Sequence, residues 1–100
     1  MEEHVELKLE LEDPFVYDGV AVKEIDLSGI FDLTGLDMCE LDREAVRLGY
    51  SLQNPEMTRQ YAMLAAAKVN NKPSDFCWRM KARDSVRLRA MVTAFFYARG

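Results

Sequence analysis

The residues of this chain that could do chemistry are few and badly placed for it. Asp32, Asp37, Glu40, Asp42 and Glu44 crowd into thirteen positions, which raises the question of a divalent cation or of a general acid and base pair. Calcium loops need oxygen ligands at alternate positions around a central Gly. These acids fall instead on an early helical turn, where the helix dipole favours negative charge. Glu6, Glu10 and Glu12 share one strand face by period two, but carboxylates in a row without an oppositely tuned partner make no acid and base couple. The one histidine, His4, offers neither a nucleophile pair nor a metal cluster. Cys39 and Cys77 stand 38 residues apart among apolar neighbours and read as two buried free thiols, with a structural disulfide as the alternative. A zinc site needs more ligands. No catalytic, cofactor-binding or metal-binding residue is assigned, and partner-binding residues stay open. The expectation is a protein that works by contact, not an enzyme, with no cofactor and no small-molecule substrate. Asp84, Arg83 and Tyr61 converging in a deep pocket would reopen the question of an enzyme.

Arg79, Arg83 and Arg87 recur every four residues, with Lys81 and Arg89 beside them, a basic segment able to meet phosphates. It is interleaved with Met80, Ala82, Val86 and Leu88, carries no aromatic stacking platform, and shares its molecule with acidic strand faces that repel a nucleic-acid backbone. The reading is therefore no nucleic acid: the patch meets an acidic protein surface or the chain's own amino-terminal half. Met57, Met63, Met80 and Met91 either line an adaptable groove for peptide partners or fill gaps in the core.

The charges are sorted by position. Residues 1–42 hold thirteen Asp and Glu against two Lys, and residues 43–100 hold eleven Lys and Arg against four acids, for a total of −4. This describes a two-faced particle whose halves attract each other or whose poles attract different partners.

One hundred residues with 49% apolar and 30% charged side chains fit one globular domain, residues 1–100, with a hairpin part over 5–27 and a helical part over 34–99. No apolar run approaches the roughly 20 residues that span a bilayer. The acidic start, Met1 to His4, differs from a secretory leader, so a cytoplasmic protein without membrane contact is expected.

Val5, Leu7, Leu9 and Leu11 alternate with charged residues, the pattern of a strand with one wet face. Asp13-Pro14 interrupts it, and Asp18-Gly19 suits a tight hairpin turn. The returning strand runs through Val20, Val22, Ile25 and Leu27, and its change of parity near Lys23 and Glu24 predicts a bulge or a change of face there. Thr34 and Asp37 resemble a capping box for a helix with Met38, Leu41, Ala45 and Leu48 inward, stopping near Gly49. Asn54-Pro55 starts a second helix with Met57, Tyr61, Leu64 and Ala65 inward, ended by Asn70-Asn71-Lys72-Pro73. Ser74 caps a short helix holding Phe76, Cys77 and Met80, with Trp78 adding the largest apolar surface. A last helix from about Asp84 places Leu88, Met91, Val92, Phe95 and Phe96 as the spine of the core. The fold class is α+β: an amino-terminal antiparallel β-hairpin or small sheet packed beside three or four α-helices.

Two stretches carry a resemblance to a known family. One is the hairpin run Tyr17-Asp18-Gly19-Val20-Ala21-Val22-Lys23-Glu24-Ile25-Asp26-Leu27. The other is the closing segment from Met80 to Phe96, with the form of a lone acid, Asp84, followed by aliphatics and a terminal aromatic pair. Over roughly residues 5–97 the arrangement resembles the tail assembly chaperones of long-tailed bacteriophages and prophages. The resemblance implies a holdase that keeps the tape-measure protein soluble until the tail tube polymerises around it, with the tail-tube protein as a further candidate partner, and that is absent from the mature virion. Many such proteins also have a longer frameshifted form. No contact residue carries over, and Asp84 reads as a helix cap. The hairpin edge and the sorted charges favour a homo-oligomer. The rivals are a structural virion or head-to-tail connector protein and a small protein–protein interaction adaptor.

Overall fold

The computed structural model describes residues 7–50 and 53–97, and the expectations placed on His4, Val5 and Glu6 lie outside them. Two antiparallel strands, β1 (Lys8–Tyr17) and β2 (Val20–Asp26), form a two-stranded sheet ahead of three helices, α1 (Gly35–Arg47), α2 (Arg59–Val69) and α3 (Ala82–Tyr97). This is an α+β architecture.

Asp18 and Gly19 take positive φ angles of 53° and 78°, the backbone twist that lets a two-residue turn join twisted strands. Register then slips on β1 instead of β2. Glu10 pairs with Glu24 and Phe15 with Val22, so residues 11–14 stand against Lys23 alone. The parity change near Lys23 is thus real, but the extra residues lie across the ladder from it. Asp13-Pro14 does not end the strand either, because Pro14, which has no N–H to donate, sits in the bulge and β1 resumes at Phe15.

The helix ends follow local chemistry. Thr34 and Asp37 form a reciprocal capping box at the start of α1. Its exit is a Schellman motif, in which Gly49 (φ 83°) allows Tyr50 N–H to reach the Ala45 carbonyl at 2.8 Å and Gly49 N–H to reach that of Val46 at 2.9 Å. Asn71 (φ 56°) does the same after α2, with Lys72 N–H on the Ala67 carbonyl at 2.9 Å. The second helix starts later than Asn54-Pro55 predicts. Asn54 adopts a left-handed φ of 48° and caps nothing, Pro55–Met57 form a 3-10 turn, and Thr58 caps α2 by accepting Tyr61 N–H at 3.1 Å. The short helix expected after Ser74 is absent. Residues 74–79 form successive turns closed by three-residue hydrogen bonds such as Phe76 N–H to Pro73 O, which still bury Phe76, Cys77 and Met80 but leave Trp78 53% exposed.

The main core joins Leu9, Phe15, Ile25, Leu27 and Ile30 to Ala66, Phe76, Leu88 and Val92, and a smaller cluster packs Leu41 and Ala45 of α1 on Tyr61, Leu64 and Ala65. Helix α2 lies between them and is buried from Tyr61 through Ala67 except for half-buried Met63. It, not α3, is the spine: from α3 only Leu88 and Val92 are buried among the expected five, while Met91, Phe95 and Phe96 pack at the margin. Gly29 permits close approach, since a Cβ there would meet Val69 Cβ at 3.1 Å. No helix among the described residues is long and apolar enough to cross a membrane.

Candidate interaction surface

Three acids of the crowded stretch are engaged in helix-end and ion-pair contacts, with Lys68 shared between Asp37 and Glu40. Asp37 caps α1, Glu40 pairs with Lys68 at 2.8 Å, and Glu44 receives Arg47 Nε at 2.9 Å, Arg47 Nη2 at 2.5 Å and the Ser74 hydroxyl. The Arg47 and Ser74 hydrogen bonds hold the Glu44 carboxyl down to about 2. No group of three or more His, Cys, Asp or Glu side chains converges on a common point among the described residues.

Asp84 is the one fully buried acid among the described residues. It does not cap α3, because it lies inside the first turn and its carboxylate faces β1. Oδ1 accepts Glu12 N–H and Oδ2 accepts Asp13 N–H, each at 3.0 Å, and Arg87 Nη1 adds a third donor at 3.0 Å. Burial pushes its pKa up, but the two backbone amides and the Arg87 guanidinium outweigh that and hold it below the ordinary carboxyl value. Tyr61 is committed elsewhere, its hydroxyl donating to the Met38 carbonyl at 3.3 Å. Arg83 lies over Glu12 at 3.4 Å. Asp84, Arg83 and Tyr61 therefore serve different packing contacts.

The sorted charges meet inside the molecule. Arg83 and Arg87 approach Glu12 at 3.4 and 3.9 Å, and Lys68 approaches Asp37 and Glu40 at 3.9 and 2.8 Å. Part of the basic run thus meets the chain's own amino-terminal half. The cysteines differ from the expectation: Cys77 is a buried free thiol whose pKa burial pushes up to about 12, but Cys39 is a free thiol exposed on α1. Methionines form no groove. Met80 is in the core, Met63 and Met91 pack against it, and Met57 alone of the four is exposed.

Exposed apolar residues also lie elsewhere, among them Val16, Val20, Leu36, Val46 and Trp78, but those on the outer face of α3 form a track along one helix, which neither the spacing of charges nor the methionines signalled. Leu88 and Val92 point into the core, so at 100° per residue the opposite face carries Val86, Ala90, Ala94 and Tyr97, at i, i+4, i+8 and i+11. Val86 is 51% and Tyr97 52% exposed, and Ala90 and Ala94 are exposed between them. Small side chains at the centre make the face concave: Val86, Arg89, Ala90, Thr93 and Ala94 line a hollow of about 370 Å³. The sequence signal was available in the outward apolar spacing of α3, but the stronger inward spacing hid it. Compared with known proteins, the chain matches no family model, no curated protein and no solved structure.

Proposed function

We propose that this protein is a non-enzymatic tail assembly chaperone of a long-tailed phage or prophage, which binds the tape-measure protein and keeps it soluble for tail-tube assembly in the bacterial cytoplasm. The observation that carries the reading is the outer face of α3, an exposed apolar track of helical spacing on a molecule whose charged groups are otherwise turned to each other or to solvent. A rod-shaped client with an apolar stripe along its helix is the natural occupant of such a face, since packing stripe on stripe removes both from water. The order of elements, a Tyr17-Asp18-Gly19 hairpin followed by helices and an Asp84-led closing helix, supports it further. So does the two-stranded sheet, in which β2 has a single strand neighbour, an arrangement that favours self-association.

Co-expression with the tape-measure protein tests the reading: the rod should stay in the supernatant with this chain and pellet without it. Mass analysis of purified particles separates the rival, because a chaperone is missing from finished tails and a connector is present.

A further inference from the structure

The α3 track has charged margins of one sign. Arg83 and Arg87 lie four residues apart along one side, and Arg89 lies on the other. Arg59 joins Arg89 around a second hollow with Met57, Thr58 and Gln60. The sole acid of α3, Asp84, is buried, and its carboxylate accepts Arg87 Nη1 at 3.0 Å as well as the β1 amides, while Glu12 lies 3.4 and 3.9 Å from Arg83 and Arg87. The Arg87 side is therefore largely charge-paired, and the positive margin of the face is the Arg89 and Arg59 side, with exposed Arg83 at its amino-terminal end.

Resting on the client-binding reading above, we infer that the outer face of α3 docks an amphipathic helix whose apolar stripe is small and is flanked by Asp and Glu on the side that meets Arg89. Ala90 and Ala94 set the shape, because they let a helix approach closely where larger residues would hold it off. Arg89 and the exposed Arg83 set the choice of partner: a carboxylate beside the stripe finds a guanidinium, whereas a Lys or Arg there faces like charge. Charge at such a rim acts more on selectivity and on the rate of encounter than on total affinity. The segments of a rod that this protein holds are accordingly its acid-flanked ones, and basic stretches of the same rod are left to other contacts.

Two designed helical peptides with the same Ala and Leu stripe, one flanked by Glu and one by Lys, test this by fluorescence anisotropy against the full chain. The Glu peptide should bind at least about tenfold more tightly than the Lys peptide, with an advantage that shrinks as salt screens the margins. Arg83→Gln/Arg89→Gln should weaken the Glu peptide about fivefold, and Ala90→Glu should abolish its binding while circular dichroism stays unchanged. Equal binding of the two peptides, or undiminished binding of the Glu peptide to Ala90→Glu, overturns the inference. A tape-measure rod kept soluble equally by wild type and Ala90→Glu overturns this site but leaves the chaperone reading standing. A rod that wild type fails to keep soluble removes that reading, while peptide selectivity still decides the docking face.

Discussion

Asp84 and Glu12, 72 residues apart in sequence, are joined by a 3.0 Å hydrogen bond from the Glu12 backbone N–H to the Asp84 carboxylate. The neighbouring Asp13 N–H takes the other oxygen at the same distance. The bulge in β1 turns two amides away from β2, and α3 supplies one buried carboxylate to receive both. The same side chain, through Arg87, links to the surface charge of Glu12. One residue thus fixes how the sheet sits on the last helix, and with it the outward direction of the α3 face.

Replacing Asp84 by Ala should destabilise the fold by about 2–3 kcal/mol, because two strand amides lose their acceptor at once. Urea unfolding at neutral pH reads this as a lower midpoint with an unchanged slope. Asp84→Asn should fall between, since it keeps one acceptor but loses the charge. A midpoint for Asp84→Ala equal to wild type would contradict the assignment.

Acid should weaken the protein over a defined range. Glu44 is held at about 2 against an ordinary 4.5, and Asp84 lies below its ordinary 3.8. Both folded-state values are depressed, so their stabilisation is complete above about pH 4.5 and is lost as pH falls towards 2. Urea midpoints taken across that interval should decline, and Glu44→Gln should make the decline shallower. A flat profile in wild type would contradict the two carboxylate contacts.

The thiols should separate kinetically. Cys39 is exposed, whereas Cys77 is buried with its thiol pushed up to about 12, and the thiolate is the reactive form. Ellman's reagent should therefore label one cysteine quickly in the native protein and the second only in denaturant. Cys39→Ser should erase the fast phase, and two fast native thiols would contradict the burial of Cys77.

Two alanines should respond oppositely to enlargement. Ala66 is wholly buried at the centre of α2, so Ala66→Leu should cost about 1–3 kcal/mol through overpacking. Ala94, exposed on the α3 track, should tolerate Leu within about 0.5 kcal/mol. Thermal melts of the two variants check the contrast, and a large loss at Ala94 would mean that the outer face is packed.

Features decided by neighbouring residues were legible in the sequence. The Asp18-Gly19 turn, the Thr34 and Asp37 box and the Asn71 exit each depend on a few consecutive backbone angles and stand where the residues place them. Asn54 was misleading because two start signals compete, and Thr58, with its hydroxyl on Tyr61 N–H, is the one nearest the helical run. Asp84 was read as a cap for a similar reason: its position before an apolar run is local, but its partners are on another element. The turns of residues 74–79 follow from packing, where Phe76 must reach the Tyr17 ring at 5.2 Å and the Phe15 ring at 6.1 Å. The α3 surface became visible only once the inner side of that helix was fixed, because Val86, Ala90 and Ala94 are ordinary helix residues until the core claims Leu88 and Val92.

The claim that this protein holds an aggregation-prone helical rod is tested most directly by light scattering, with the tape-measure protein diluted from urea into buffer. An equimolar amount of this chain should suppress the rise in scattering, and the Ala90→Glu variant should not. Scattering that rises to the same level with and without the wild-type chain would contradict the account.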